Sequence, residues 1–170
     1  FHPAFYLKDP PDEVYDRVKN ELEDIVSAMR SEDIKLTLRA ETTGKASQFG
    51  SLDEVLRLSA EVEGVAPCID FAHLHAREGK SNSYAEFKAV LEQIDDKLGR
   101  DALNDMHIHL SGIKYSAKGE LSHLDLKESD MNYLELFKAW KEFDIKGLVI
   151  CESPSLEADA LIMQEVYNSL

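Results

Sequence analysis

Four short apolar runs in this chain each end in a side chain able to bind a metal ion. Ile34–Ala40 runs into Glu41, and Val65–Ile69 runs into Asp70, with His73 three residues on. The stretch through Met106 carries His107 and His109, and Leu148–Cys151 runs into Glu152. Carboxylates and imidazoles converging in space would hold Zn²⁺, Mn²⁺ or Mg²⁺, and a carboxylate could bridge two ions. A strand-end glutamate by itself is commonly just solvated. Glu41, Asp70, His109 and Glu152 carry more weight because they recur at equivalent points of successive units. Asp70-x-x-His73 alone reads equally well as a helix cap. His107 and His109 point the same way if they lie on a strand, because side chains repeat every two residues. His75 reads as a surface loop residue. His123 falls in the longest loop, where a lone histidine faces solvent as a rule.

The elements that must position these groups alternate between helix and strand. Val14, Val18, Leu22, Ile25, Val26 and Met29 recur at helical spacing, and Pro10-Pro11 with Asp12 suits the start of that helix. Ser51 with Glu54 and Ser83 with Glu86 are capping-box patterns, opening helices to about Glu63 and about Leu98. Ile34–Ala40, Val65–Ile69, a segment near Asp105–Leu110, and Gly147–Cys151 are β-type runs. Further helices are expected over about Asp130–Phe143 and from Ser155 onward. Strand-to-helix links are long (Thr42–Gly50, Phe71–Asn82, Ser111–Ser129), whereas the returns around Gly64 and Asp144–Lys146 are short. Long loops at strand C-termini build active sites in α/β proteins, and the candidate ligands lie on that edge.

The fold expectation is therefore α/β, with parallel strands buried on both faces. A (β/α)8 TIM barrel needs about 250 residues. Four strands plus a strand end at Phe1 correspond to its C-terminal half to two-thirds, with residues 1–170 forming one portion of a single barrel domain. The chain opens Phe1-His2-Pro3 as though cut at a strand end, so a fragment is expected. A complete four-stranded open α/β domain is the alternative.

Composition narrows the function. The chain has 19 basic and 33 acidic residues, a formal net charge of −14. That charge disfavours nonspecific binding to nucleic acid or anionic membranes unless metals or a local cationic face offset it. Cys68 and Cys151 lie inside apolar runs and read as buried reduced thiols. No apolar stretch approaches the about 18 residues of a membrane span, and no signal peptide is present, so a cytoplasmic protein is expected. Dinucleotide, phosphate-loop and serine-elbow motifs are absent.

His2-Pro3, Glu41-Thr42-Thr43-Gly44, Cys68-Ile69-Asp70-Phe71-Ala72-His73, Met106-His107-Ile108-His109-Leu110 and Cys151-Glu152-Ser153-Pro154 occur in the order of the endonuclease IV family. Over almost its whole length the chain resembles the latter part of that family's xylose-isomerase-like barrel. The resemblance implies a zinc-dependent hydrolase with two or three ions, with Mn²⁺ or Mg²⁺ as substitutes. It also implies a damaged double-stranded DNA substrate cut 5′ to abasic sites, in base excision repair, by an enzyme that is monomeric when full length. By motif, His2 and Glu41 resemble ligands of one metal. Glu41, Asp70, His109 and Glu152 resemble the set around a second, and His73 and His123 ligands of a third. Glu41 and Glu152 take the catalytic roles. His109 rather than His107 matches the family's His-Leu pair. The chain departs from the pattern at Ala4 for glycine, at Ser111-Gly112 for Asn-Asp, and at Leu121 for the aspartate two residues before the last histidine. Glu120 stands beside Leu121 as a substitute. Sugar isomerases and epimerases of the same barrel type also resemble the chain at Glu41, Asp70, His109 and Glu152, with one metal and two glutamates moving a proton. A metal-binding homologue without catalysis is the third reading.

Overall fold

Proline and acids start the first helix. A computed structural model describes residues 1–170. After a two-residue strand β1 (Ala4–Phe5), helix α1 (Pro11–Ser31) begins at a proline that has no N–H to leave unpaired, with Asp12 and Glu13 at its positive end. Strand β2 (Leu38–Glu41) and the short β3 (Gln48–Phe49) precede α2 (Leu52–Glu61). The expected capping box is present there: the Glu54 amide donates to Ser51 Oγ at 3.3 Å, and the Ser51 amide donates to Glu54 Oε2 at 2.9 Å. Then come β4 (Val65–Asp70), α3 (Phe71–Glu78), α4 (Tyr84–Leu98), the one-turn α5 (Arg100–Asn104) and β5 (Met106–Leu110). Strands β6 (Gly112–Ser116) and β7 (Gly119–Leu124), helix α6 (Tyr133–Glu142), β8 (Gly147–Cys151) and α7 (Glu157–Ser169) complete the chain.

Strands β2, β4, β5 and β8 form one parallel sheet in that order. Its register sets Glu41 beside Cys68, Asp70 beside His109, and His109 beside Ile150. Phe1 extends the pattern at the β2 edge. Its amino group donates to Arg39 O at 3.0 Å, and its carbonyl accepts from the Glu41 amide at 3.0 Å. The architecture is part of a (β/α)8-type barrel: consecutive parallel strands, with helices between them. Alternation divides the two faces. Ile69, Ile108 and Leu110 point toward the helices and join Phe87, Leu91, Phe137 and Trp140 in the main core. Asp70, His107 and His109 point the other way. A second core, with Leu22, Val26, Phe49, Val55 and Leu58, ties α1 and α2 to the β2 side.

Some expected boundaries change. Phe71–Asn82 is not an open loop, because α3 follows β4 directly, capped by Asp70. Ser111–Ser129 holds a β-hairpin, turning at Gly119 with φ +96°. The first parallel strand starts at Leu38, whose amide bonds Gly64 O at 2.9 Å, and Ile34 and Leu36 before it are exposed. The last helix starts at Glu157 rather than Ser155. The sheet is also not buried evenly. Leu148, Val149 and Ile150 of the outer strand β8 are 54%, 40% and 37% exposed. No helix is long and apolar enough to cross a membrane.

Candidate metal centre

Four strand ends converge, as parallel topology requires. Ligand atoms of Glu41 (end of β2), Asp70 (end of β4), His109 (β5) and Glu152 (just after β8) all lie within 4.8 Å of one another. His109 Nδ1 is 3.2 Å from Glu41 Oε1 and 3.2 Å from Glu152 Oε1. Yet His109 Nδ1 and Asp70 Oδ2 are buried with no hydrogen-bond partner. Unpaired buried polar atoms are costly, and a divalent cation would satisfy both at once. By this test the residues fit a metal.

Two further groups adjoin the first. His2 Nε2 lies 3.3 Å from Glu41 Oε1, so Glu41 faces both sides. His73 Nδ1 is 3.0 Å from Thr42 O, and His123 Nδ1 is 3.0 Å from Glu152 O. A carbonyl only accepts, so each Nδ1 carries a proton and Nε2 is the nitrogen open to a metal. Those two Nε2 atoms face each other at 3.3 Å. A proton or a cation must lie between them. Glu120 Oε2, 3.6 Å from His73 Nε2, completes a His73–Glu120–His123 group. The hydrogen bonds to backbone carbonyls orient the rings as outer-shell partners of metal ligands do.

Glu120 is the residue the motif alone could not assign. Leu121, at the position where the resemblance expects an aspartate, is 57% exposed and turns away. The register of the hairpin slips between Lys114 and Tyr115. On the Gly44 side the Glu120 amide donates to Gly44 O at 2.9 Å. A Cβ on Gly119 would lie 2.3 Å from that same carbonyl, so only glycine permits the approach. His123 is therefore on a strand facing the site, rather than in an open loop facing solvent. His75 is also not a surface residue. It is 3% exposed, with its ring nitrogens 2.8 Å from Lys80 O and 3.2 Å from Asp130 Oδ1. It braces α3 against the segment after the hairpin and does not reach the centre.

Arg77 holds the loop that follows Glu41. One of its terminal nitrogens donates to Thr43 Oγ1 at 2.9 Å and Lys45 O at 2.6 Å, and the other to Gln48 O at 3.0 Å. Thr42 Oγ1 bonds the Asp70 amide at 2.9 Å, joining the two carboxylate-bearing strand ends.

The electrostatics match a cation site that protons fill. Burial opposes ionisation of Glu41, but the rings of His109, His2 and His73, with nitrogens 3.2–3.3 Å from its Oε1, hold its carboxyl well below the usual range. Burial pushes Asp70 up to about 6. Burial opposes the charge on His73, yet Asp70, Glu41 and Glu120 raise it to about 9. Cys68, Glu152 and Glu41 raise His109. In the absence of metal, imidazolium protons neutralise the carboxylates, so an ion entering must displace them.

Known proteins place this arrangement in context. A family model described as a xylose isomerase-like TIM barrel matches residues 1–169. The chain is 47% identical over 171 residues to the uncharacterized protein MJ0133 of Methanocaldococcus jannaschii, covering all of this chain and 62% of that protein. The crystal structure of a 3-keto-D-glucoside 4-epimerase, YcjR, from E. coli superposes with a TM-score of 0.59 at 15% identity, over 96% of this chain and 56% of that one. A D-psicose 3-epimerase crystallised in the presence of D-fructose superposes with a TM-score of 0.54 at 17% identity, over 88% of this chain and 45% of that one. The chain thus spans about half to three-fifths of the length of these relatives.

Proposed function

The chain belongs to the xylose isomerase-like TIM barrel family, and on that premise we propose that it carries the metal centre of a zinc-dependent phosphodiesterase that cuts double-stranded DNA 5′ to abasic sites. The observation behind this reading is the run of three adjoining ligand groups: His2 with Glu41, Glu41–Asp70–His109–Glu152, and His73–Glu120–His123. Sugar chemistry at one ion needs only the middle group. A phosphodiester, whose charge builds on several oxygens, is matched by several cations in a row.

Zn²⁺, when bound, supplies an acidified water and a positive field at the phosphate. The residues of this chain do the rest. Glu41, between two groups, accepts a hydrogen bond from the attacking water and orients it toward phosphorus. As the new P–O bond forms, the P–O bond to the leaving ester oxygen breaks, and that oxygen takes up a proton. Glu152 fixes the opposite wall, with its carboxylate on His109 and its carbonyl holding His123 Nδ1. Asp70, buried and capping α3, keeps the floor rigid.

A second reading, a metal-dependent sugar isomerase or epimerase, is favoured by one observation: the Glu41–Asp70–His109–Glu152 set is complete without the others. There Glu41 and Glu152 would shuttle a proton between carbons. The net charge of −14 suits a neutral sugar. The deciding assay is incision of a duplex with one abasic site by the whole protein supplied with Zn²⁺ or Mn²⁺. Chelator-sensitive cleavage 5′ to the site supports the nuclease. Intact DNA with epimerised ketose supports the alternative and rejects the proposal.

A further inference from the structure

One layer below the carboxylates, the inward face of β4 and β5 carries a different set of donors. Cys68 and His107 are direct cross-strand partners. His107 and His109 follow each other on one face of β5, with ring centroids 5.4 Å apart at 56°. One ligand atom from each of Cys68, His107 and His109 lies within 4.8 Å of the other two. Cys68 is a free thiol, 1% exposed. Neither Cys68 nor His107 has any task in the proposed hydrolysis.

The chemistry of this group differs from that of the centre above it. A thiolate with two imidazoles and an open fourth position suits Zn²⁺ and softer ions such as Cu(I) or Cd²⁺. It offers no oxygen donor to Mg²⁺ or Mn²⁺, which take carboxylates and water. His109 belongs to both groups.

We propose that Cys68, His107 and His109 form a second, thiophilic metal site that competes with the carboxylate centre for His109. An ion held there draws on the same imidazole that lies 3.2 Å from Glu41 Oε1 and Glu152 Oε1. Soft metal in excess then lowers the affinity of the upper centre, and hard metal does not. This competition rests on the role given to His109 above, whereas the existence of the lower site does not.

The test uses Cd²⁺ added to the metal-free whole protein, read by thiolate-to-metal charge-transfer absorption in the ultraviolet. A band saturating at one equivalent is expected, including in Glu41→Gln, where the upper centre is disabled. The band is expected to persist in Cys151→Ser and to vanish in Cys68→Ser. His107→Phe, which retains ring volume, should weaken it at least about tenfold. Should Cys68→Ser fail to fold, zinc K-edge absorption on the unaltered protein answers the same question, with a Zn–S shell expected. Absence of any sulfur signal, or a band that survives Cys68→Ser, overturns the site. A sulfur signal together with DNA left uncut retains the site and rejects only the nuclease reading.

Discussion

Asp70 divides its carboxylate between two tasks. Oδ1 accepts the backbone N–H of His73 at 2.6 Å and so caps α3, while Oδ2 is buried with no partner and faces the ligand cluster. The cap and the candidate metal ligand are one side chain, so the start of α3 and the position of His73 are tied to the ligand cluster. Asp70→Asn keeps an oxygen for the cap and removes the buried charge. Since burial raises Asp70 to about 6, its ionised form is a burden at neutral pH without metal. The metal-free variant should therefore be at least as stable as the parent in urea, while its metal affinity falls more than about tenfold. Asp70→Ala should lose about 1 kcal/mol of cap stability as well. An Asn variant with unchanged metal affinity would remove Asp70 from the ligand set.

Glu120, and not Leu121, faces His73. Glu120→Ala and His123→Ala should each lower bound zinc by one equivalent per chain, measured by elemental analysis after dialysis. Leu121→Ala should leave the count unchanged. Loss of zinc from the Leu121 variant alone would contradict the placement of Glu120.

Glu41 links two ligand groups and contacts His2, His73 and His109. Glu41→Gln should lower turnover by more than about 10³-fold with the far-ultraviolet circular dichroism unchanged. Substantial activity in that variant would reject the proposed role in orienting water.

Arg77 donates to backbone oxygens of Thr43, Lys45 and Gln48. Arg77→Met should cost about 3 kcal/mol, because charge-assisted bonds to otherwise unpaired carbonyls are lost together. The 42–50 loop should become the first site of limited proteolysis. Cleavage starting elsewhere at an unchanged rate would show that the clamp is dispensable.

His73 sets a pH trend. Burial works against its charge, but Asp70, Glu41 and Glu120 raise it to about 9, above the 6.5 of a free imidazole. A raised folded value means that the imidazolium stabilises the metal-free protein fully below pH of about 6.5, and that this stability is lost as pH climbs through about 9. The metal-free melting temperature should fall across that window. Metal binding displaces protons, so apparent affinity should rise over the same range. Thermal melts with and without zinc at several pH values read both slopes, and a flat metal-free profile would count against a charged His73.

Much of the α/β order was readable from local chemistry. The Ser51–Glu54 box, Pro11 at a helix start, and apolar runs ending at Glu41, Asp70, His109 and Glu152 are decided by near neighbours: an orphan amide seeks a side chain, and a strand alternates its faces. The parallel sheet followed, because strands joined by helices must run the same way. What the tertiary structure decided lay in contacts between residues distant in sequence. The segment 111–129 has no strong period, so its hairpin and its slip at Lys114/Tyr115 became visible only with the chain folded, and that slip is what turns Glu120 inward. His75 and His123 looked alike as loop histidines. Their roles were set by partners 55 residues away at Asp130 and 29 residues away at Glu152, which no local pattern encodes. Sequence by itself determined which residue types stand at the strand ends. Packing across the sheet decided which nitrogen of His73 and of His123 is free to bind, because only the folded chain brings the Thr42 and Glu152 carbonyls that hold the other one.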